Sequence, residues 1–334
     1  MEDSYNNYNS CLELVENEFI VFKSIYDILY LIYTKVDKKE NIESIIIYNL
    51  LDNVKVSEIR NKGIENIKYI KYCKDNTNKR DLILVFYFYA GIKLWDVNNL
   101  DNILTINGRN NTFSFNYSCF INLNNQIYII SNIPIYNTSY FAFRVHNLKG
   151  NIEKDININN SNYLKKIIFM ICYYDDKLCK NYIISYIKDG EENNNFILSI
   201  DFNENKECNK YYSKDDIYTV NIIMHNGKEL KMIESSGKEN IRIWDFHSGN
   251  LIQTIKTKCL FYGLSLWDDE NLLVSCKSKE IKIIKIKGGK IISLYNHSKV
   301  YFAQKIVHSQ YGECLISQNS DNTIKLFIDR NIIK

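Results

Sequence analysis

Three residues near the C-terminal end of the chain have the side-chain types of a nucleophilic catalytic triad: His297, Ser317 and Asp321. A serine nucleophile must be exposed, activated by the histidine and placed beside an oxyanion hole, usually on a strained G-x-S-x-G turn. No such turn surrounds Ser317. The sequence therefore does not predict a hydrolase built on these three residues.

The other side chains that could do chemistry also lack the required spacing. The five histidines never recur at metal-ligand spacing with cysteine or acidic residues, so we expect neither a metal site nor a cofactor. The carboxylate pairs Asp175-Asp176, Asp215-Asp216 and Asp268-Asp269 lie in predicted turns, where aspartate hydrogen-bonds the local backbone. We expect these acids to shape turns and not to transfer protons.

A run of lysines makes one stretch of the chain locally basic. Its members are Lys277, Lys279, Lys282, Lys285, Lys287 and Lys290. A phosphate-binding loop needs G-x-x-x-x-G-K-S/T, but Gly288-Gly289-Lys290 is followed by isoleucine. The net charge of +3 gives little general attraction to phosphate. Binding of a phosphoinositide or a nucleic acid through this stretch stays open as an alternative function.

A repeated pattern of strands must position all of these side chains. Residues 240–255, NIRIWDFHSGNLIQTI, alternate apolar and polar residues around a turn glycine, which indicates two strands joined by a tight connection. The pattern returns with Ile284 and then Phe327 at the tryptophan position, and residues 91–106 carry the full Trp95-Asp96 pair. These segments resemble the WD-repeat family, whose repeats of about forty residues each build one four-stranded propeller blade.

The resemblance implies an all-β fold, a seven-bladed WD-repeat propeller that occupies residues 1–334 as a single domain. The remaining tryptophan positions are expected at Tyr48, at Arg144 or Val145, and near Ile200. A further Trp-Asp pair, Trp267-Asp268, does not end a repeat, because it falls in the expected turn between the first two strands of blade six.

We expect the last blade to be one strand short, because the sequence ends soon after the third strand predicted for that blade. Residues 11–17, CLELVEN, form a short alternating segment that has no other partner. We expect this segment to be the outer strand of blade seven. It would close the propeller and remove an unpaired sheet edge.

In WD repeats a histidine, a serine and an aspartate form a structural hydrogen-bond network that ends on the tryptophan indole. The resemblance implies this role for His297, Ser317 and Asp321, although Phe327 cannot make the last bond. An enzyme with its active site in the central channel of the propeller stays a minor alternative.

The function implied by the resemblance is that of a non-catalytic scaffold or adaptor, a monomeric propeller within a larger multiprotein complex. Its partners would be other proteins or peptides, docked on the loops that lead into the innermost strands. The residues expected there are Tyr218, Tyr262, Lys299 and Tyr301. Aromatic and cationic side chains are enriched in interface hot spots, but the tyrosines could instead fill gaps between blades.

Composition suggests where the protein resides. Met1 is followed by a polar, acidic stretch, and the longest apolar run, Leu82 to Ala90, is too short to span a bilayer. We expect a cytosolic or nuclear protein whose nine cysteines, with no C-x-x-C pair, are reduced thiols. The abundance of Asn, Lys, Ile and Tyr resembles proteins encoded by AT-rich genomes, such as those of some parasitic protists.

The structural role of Asp321 can be tested by the substitution Asp321→Ala. Loss of a buried polar partner should lower the free energy of unfolding by roughly 1–3 kcal/mol without removing any specific activity. Chemical denaturation and activity assays on one preparation measure both quantities. A variant of normal stability that had lost a hydrolytic activity would contradict the structural role.

Overall fold

The computed structural model describes residues 12–13, 19–62, 67–87, 91–107, 117–123, 125–134, 141–158, 165–189, 195–213, 217–225, 229–236, 239–257, 259–276, 280–296, 300–319 and 323–328. Their strands form seven four-stranded antiparallel sheets, and the fold class is a seven-bladed β-propeller, which confirms the predicted architecture. Within these ranges, no helix has the length and apolarity that crossing a membrane requires.

The strands up to the end of blade four are β1 (Leu12–Glu13), β2 (Phe19–Lys23), β3 (Leu29–Asp37), β4 (Ile42–Asn49), β5 (Val54–Lys62), β6 (Ile67–Asp75), β7 (Arg80–Tyr87), β8 (Gly91–Asp96), β9 (Asn102–Ile106), β10 (Ser118–Leu123), β11 (Gln126–Pro134), β12 (Phe141–Asn147), β13 (Ile152–Ile158), β14 (Lys165–Asp175), β15 (Lys180–Asp189), β16 (Asn195–Asp201) and β17 (Lys206–Ser213). Blades one to four are β2–β5, β6–β9, β10–β13 and β14–β17.

The remaining strands are β18 (Ile217–His225), β19 (Glu229–Ser236), β20 (Asn240–Asp245), β21 (Leu251–Lys256), β22 (Phe261–Leu266), β23 (Asn271–Cys276), β24 (Glu280–Lys285), β25 (Ile291–Asn296), β26 (Val300–His308), β27 (Gly312–Asn319) and β28 (Thr323–Ile328). Blade five is β18–β21, blade six is β22–β25, and blade seven is β26–β28 with β1 as its fourth strand.

The chain divides into two compact units. The N-terminal unit is Glu16–Tyr212 and contains blades one to four. Apolar side chains of neighbouring blades pack together in it, and every residue of β16 is buried. The carboxylate of Asp81, itself fully buried, adds a polar link, since it accepts hydrogen bonds from the Ile25 amide (3.0 Å) and the Tyr72 hydroxyl (2.7 Å). Blades one and two are therefore held together by apolar contact and by a buried hydrogen-bonded carboxylate.

The C-terminal unit combines Met1–Val15 with Ser213–Lys334. One apolar cluster of this unit joins blades five and six through side chains such as Ile241, Ile255 and Leu272. In blade seven, β1 pairs with β28 through Leu12 with Ile324 and Glu13 with Thr323. The predicted closing strand is thus confirmed at two residues of the expected segment 11–17, and residues 11 and 14–17 lie outside the described part.

In blades one to five, the residue after the tryptophan position closes the turn between the third and fourth strands. Its side-chain oxygen accepts a hydrogen bond from a backbone amide two or three residues on, a common use of Asn and Asp. The residues that do so in blades one to five are Asn49, Asp96, Asn147, Asp201 and Asp245.

Asp245 shows how this turn affects ionisation. Burial favours a higher pKa, but hydrogen bonds from the amide and hydroxyl of Ser248 and the nearby His247 outweigh it. The pKa of Asp245 therefore lies below its ordinary value. This carboxylate is a fixed acceptor of the turn and not a proton donor.

One tryptophan position was predicted wrongly. In blades two and five, the fourth strand has one extra residue where it pairs with the tryptophan position, at Trp95 and at Trp244. In blade three, the same bulge lies opposite His146. The tryptophan position of blade three is therefore His146, and neither Arg144 nor Val145. Alternation alone could not fix this register, because FAFRVHN contains no tryptophan to mark it. Tyr48 and Ile200 hold the positions predicted for blades one and four.

Deleting residues 1–17 should lower the melting temperature by roughly 5–10 °C, because it exposes the edge of β28. Deleting residues 1–10 is the control, since it leaves β1 in place and should change the melting temperature little. Calorimetry of both truncations measures the difference. Equal melting temperatures would show that the closing strand contributes no stability.

Candidate partner-binding rim

Three successive innermost strands of the C-terminal unit begin with the same irregularity. In β18, β22 and β26, one extra residue interrupts pairing with the second strand near the strand start. The extra residues are Tyr218, Tyr262 and Tyr301. A bulge leaves its extra residue out of the ladder and re-aims the chain there, so it is a usual device for presenting a side chain. We call these three strand starts and the loops that lead into them the rim.

The three tyrosines named from sequence therefore occupy equivalent backbone positions, which alternation alone did not show. β22 packs between β18 and β26, so the positions are on neighbouring strands. The side chains of these tyrosines, and the whole of Lys299, His297 and Asp321, lie outside the described residues. Their predicted roles stay predictions.

Ser317 lies on β27 and is fully buried. Its hydroxyl has no hydrogen-bond partner in the described part of the chain. A serine in this position is not open to a substrate. The structural role predicted for Ser317 fits its burial, while its predicted partners His297 and Asp321 are outside the described ranges.

Hydrogen bonds tie the loop into blade six to the preceding blade. The backbone amide and the hydroxyl of Thr257 both donate to the Glu239 carbonyl at 3.0 Å. Glu239 lies just before β20, between the second and third strands of blade five, and has a positive φ of 62°. The Thr257 hydroxyl is also 3.2 Å from the Cys259 carbonyl. The rim at blade six is therefore held by backbone carbonyls of two loops.

A disulfide continues this network and corrects one prediction. Cys259, in the loop, is bonded to Cys276 at the end of β23, and both residues are buried. Six other described cysteines are free thiols, as expected. The pair was missed because 17 residues separate its members and only the hairpin of β22 and β23 brings them together.

A buried ion pair lies inside blade five, between its second and third strands. Arg242 on β20 lies 2.7 Å from a carboxylate oxygen of Glu234 on β19, and Glu234 is fully buried. The same guanidinium nitrogen donates to the Ser213 hydroxyl at 2.6 Å. These polar side chains link Ser213 to the second and third strands of blade five, all within the C-terminal unit.

Two lysines of the basic stretch in blade six lie beside acidic side chains. Lys282 pairs with Glu280 at 3.2 Å, and Lys285 lies 3.8 Å from Glu270. Lys287 and Lys290 are exposed in the turn between β24 and β25, while Lys277 and Lys279 lie outside the described residues. Acidic neighbours thus offset part of the positive charge that a phosphate ligand would need.

An open cavity of about 520 Å³ lies beside the acidic turn that contains Trp267 and Asp268. The turn joins β22 to β23, as predicted. The Asp268 carboxylate is occupied by the Glu270 amide and the Asn271 side chain, and the Lys305 ammonium sits 4.6 Å from the centre of the Trp267 ring. The cavity therefore presents side chains that already bind one another.

Asp175 likewise caps its own turn, while Asp215-Asp216 are outside the described part.

In the described ranges, no three histidine, cysteine or acidic residues are grouped closely enough to hold a metal ion.

Comparison with known proteins yields similarity at the level of the fold. No protein-family model and no curated protein sequence matches this chain. Among solved structures, Raptor from Chaetomium thermophilum is similar with a TM-score of 0.70 and 13% identity, over 98% of this chain. This chain spans only 29% of the Raptor chain. Two structures of BBS1N in complex with ARL6DN, soaked with lead and with mercury, both have TM-scores of 0.66, with 10% and 9% identity. They cover 93% and 96% of this chain, and 91% and 97% of BBS1N. At these low identities, the TM-scores show a shared propeller fold and nothing more.

The buried ion pair predicts a large effect of one substitution in blade five. Arg242→Met should destabilise the protein by about 3–5 kcal/mol, because it leaves the Glu234 carboxylate buried without its arginine. The double variant Glu234→Gln/Arg242→Met should recover most of that loss. Urea denaturation of both variants measures the difference.

Arg144→Met supplies the matched control for this prediction. Arg144 binds Asp155 through two 2.8 Å bonds, but both side chains are about one-third exposed. Loss of this ion pair should lower the free energy of unfolding by no more than about 1 kcal/mol. Equal costs for the two arginine substitutions would contradict a special role of burial at Glu234.

Proposed function

We propose that this protein is a non-catalytic interaction scaffold of the WD-repeat type, a subunit of a larger assembly in the cytosol or nucleus. It binds another protein or a peptide through the rim of blades five to seven. The observation that carries the proposal is that the bulge residues of three neighbouring strands are all tyrosines, Tyr218, Tyr262 and Tyr301, whereas the same bulge in β6 and β14 carries Lys68 and Ile168. The acceptor side chains that close the turns after the tryptophan positions support the WD-repeat assignment.

The chemistry of the rim fits a protein partner. Tyrosine buries a large apolar ring with few rotatable bonds and keeps a hydroxyl for a hydrogen bond, so it is enriched in binding hot spots. The loop that leads to Tyr262 is held by Thr257 and the Cys259–Cys276 bond. Binding then costs little ordering entropy, because the backbone is already fixed.

The similar structures support this class of function. BBS1N is described in complex with another protein, ARL6DN, and its chain has nearly the same extent as this one. A phosphoinositide or nucleic-acid ligand is less well supported, because Glu280 and Glu270 lie beside two of the lysines of blade six. We therefore assign the function to protein binding and keep phosphate binding as an outcome for experiment.

Charge introduced at the rim should abolish binding. Tyr262→Glu and Tyr301→Glu should each reduce the main co-purifying protein at least about tenfold, since a buried carboxylate would have no partner in the interface. Affinity capture from a lysate of the cells that make the protein, with quantitative mass spectrometry, measures the loss.

Tyr26→Glu is the matched control. Tyr26 is 60% exposed and lies in the turn between β2 and β3, not at a strand start. Its substitution should leave the captured protein unchanged, and circular dichroism should show the same fold for all three variants. Full retention of the captured protein by both rim variants would place the binding site elsewhere.

A further inference from the structure

The Cys259–Cys276 bond lies at the open end of one hairpin. β22 pairs with β23 from Leu266 with Leu272, next to the turn, to Phe261 with Cys276 at the far end. Cys259 precedes Phe261 by two residues, so the bond fastens the two chains where the ladder stops. The last ladder pairs of a hairpin fray most readily, because pairing there is supported from one side only.

The bulge residue Tyr262 belongs to this same end. Pairing skips from Phe261 to Gly263, so the ladder is interrupted one residue away from its final pair. The loop that leads into this end carries two further constraints: the disulfide of Cys259, and the hydrogen bonds from Thr257 to the Glu239 carbonyl. Of these, the disulfide alone is covalent and can be broken by a change of redox state.

We propose that the Cys259–Cys276 disulfide is a reversible redox control of the rim. In the oxidised protein, it holds the Tyr262 bulge in position to bind a peptide partner. In the reduced protein, the end of the hairpin opens and the partner is released. This inference rests on the proposed function and names the regulation of the same site.

The chemistry balances with a peroxide as oxidant and a dithiol as reductant. Peroxide oxidises one thiol to a sulfenic acid and leaves as water; the second thiol then displaces a second water as the sulfur–sulfur bond forms. Two electrons and two protons pass from the cysteines to the peroxide. A dithiol reverses the step by thiol–disulfide exchange, and is itself oxidised to a disulfide. In a cell compartment where thiols are kept reduced, disulfides are typically of this transient kind.

Burial sets the pace of the exchange. Cys276 is fully buried and Cys259 is 4% exposed, so a reagent reaches them only when the loop opens. Cys179 and Cys208 are exposed and provide an internal reference for thiols that react without any opening.

A second close pair of cysteines offers a matched control. The sulfur atoms of Cys119 on β10 and Cys172 on β14 are 3.0 Å apart, in the core cluster of blades three and four. Burial, and then the neighbouring Cys119, raise the pKa of the Cys172 thiol well above its ordinary value, which keeps it protonated. This pair lies in the N-terminal unit, outside the strands that form the rim.

The test compares the full chain after peroxide and after dithiol treatment. Hydrogen–deuterium exchange of residues 257–276 is the first readout and involves no ligand. The second readout is binding of a phage-displayed pool of random peptides, selected on the oxidised protein and confirmed as rim binders by their loss with Tyr262→Glu. Reduction should speed exchange in this segment and weaken pool binding about tenfold or more.

The variant Cys259→Ser/Cys276→Ser should behave as the reduced protein under both conditions, whereas Cys119→Ser/Cys172→Ser should respond to redox state as the wild type does. If the first variant fails to fold, reduction of the wild-type chain gives the same comparison. Unchanged exchange on reduction, or faster exchange with unchanged pool binding, would overturn the redox control while leaving the proposed function standing. A pool that Tyr262→Glu binds as well as wild type would overturn the proposed function, and the redox control with it.

Discussion

The structure depends on the burial of sheets that are apolar on both faces. In blade two, β7 is buried from Asp81 through Tyr87, and in blade four every residue of β16 is buried. A single four-stranded sheet cannot cover two apolar faces by itself, so each blade is stable only against its neighbours. Two charged groups that enter these layers, Asp81 and Glu234, are hydrogen-bonded or ion-paired, because an unpaired buried charge would be costly. This packing positions the loops and turns that are exposed at the strand ends.

Much of the fold could be predicted because it repeats. Trp95 and Trp244 fix the third strand of two blades, and forty-residue spacing extends the register to Ile284 and Phe327. The same count predicted that β28 would need a fourth strand from the N-terminal segment, which Leu12 and Glu13 supply. The register of blade three was not predictable in this way, because His146 replaces the aromatic marker. Its buried imidazole has a lowered pKa, first because of desolvation, so the site favours an uncharged ring as it would an indole.

The features of the rim were only partly accessible from sequence. Tyrosines could be assigned to the strand starts, but a bulge is a property of pairing between two strands, and no single strand shows it. The Cys259–Cys276 bond and the Arg242–Glu234 pair depend on which residues face each other across a hairpin. Side-chain types in sequence show what chemistry is possible, while register decides which groups meet. For the same reason, the set His297, Ser317 and Asp321 suggested catalysis by type, yet Ser317 lies buried in a strand.

We propose that the rim, and Tyr262 in particular, contacts a protein partner. Site-specific incorporation of a photo-crosslinking phenylalanine analogue at position 262, followed by irradiation in the cells that make the protein, tests this contact. We expect one predominant crosslinked protein with the probe at position 262 and none with the probe at position 26. Crosslinks at position 26 with none at position 262 would contradict it.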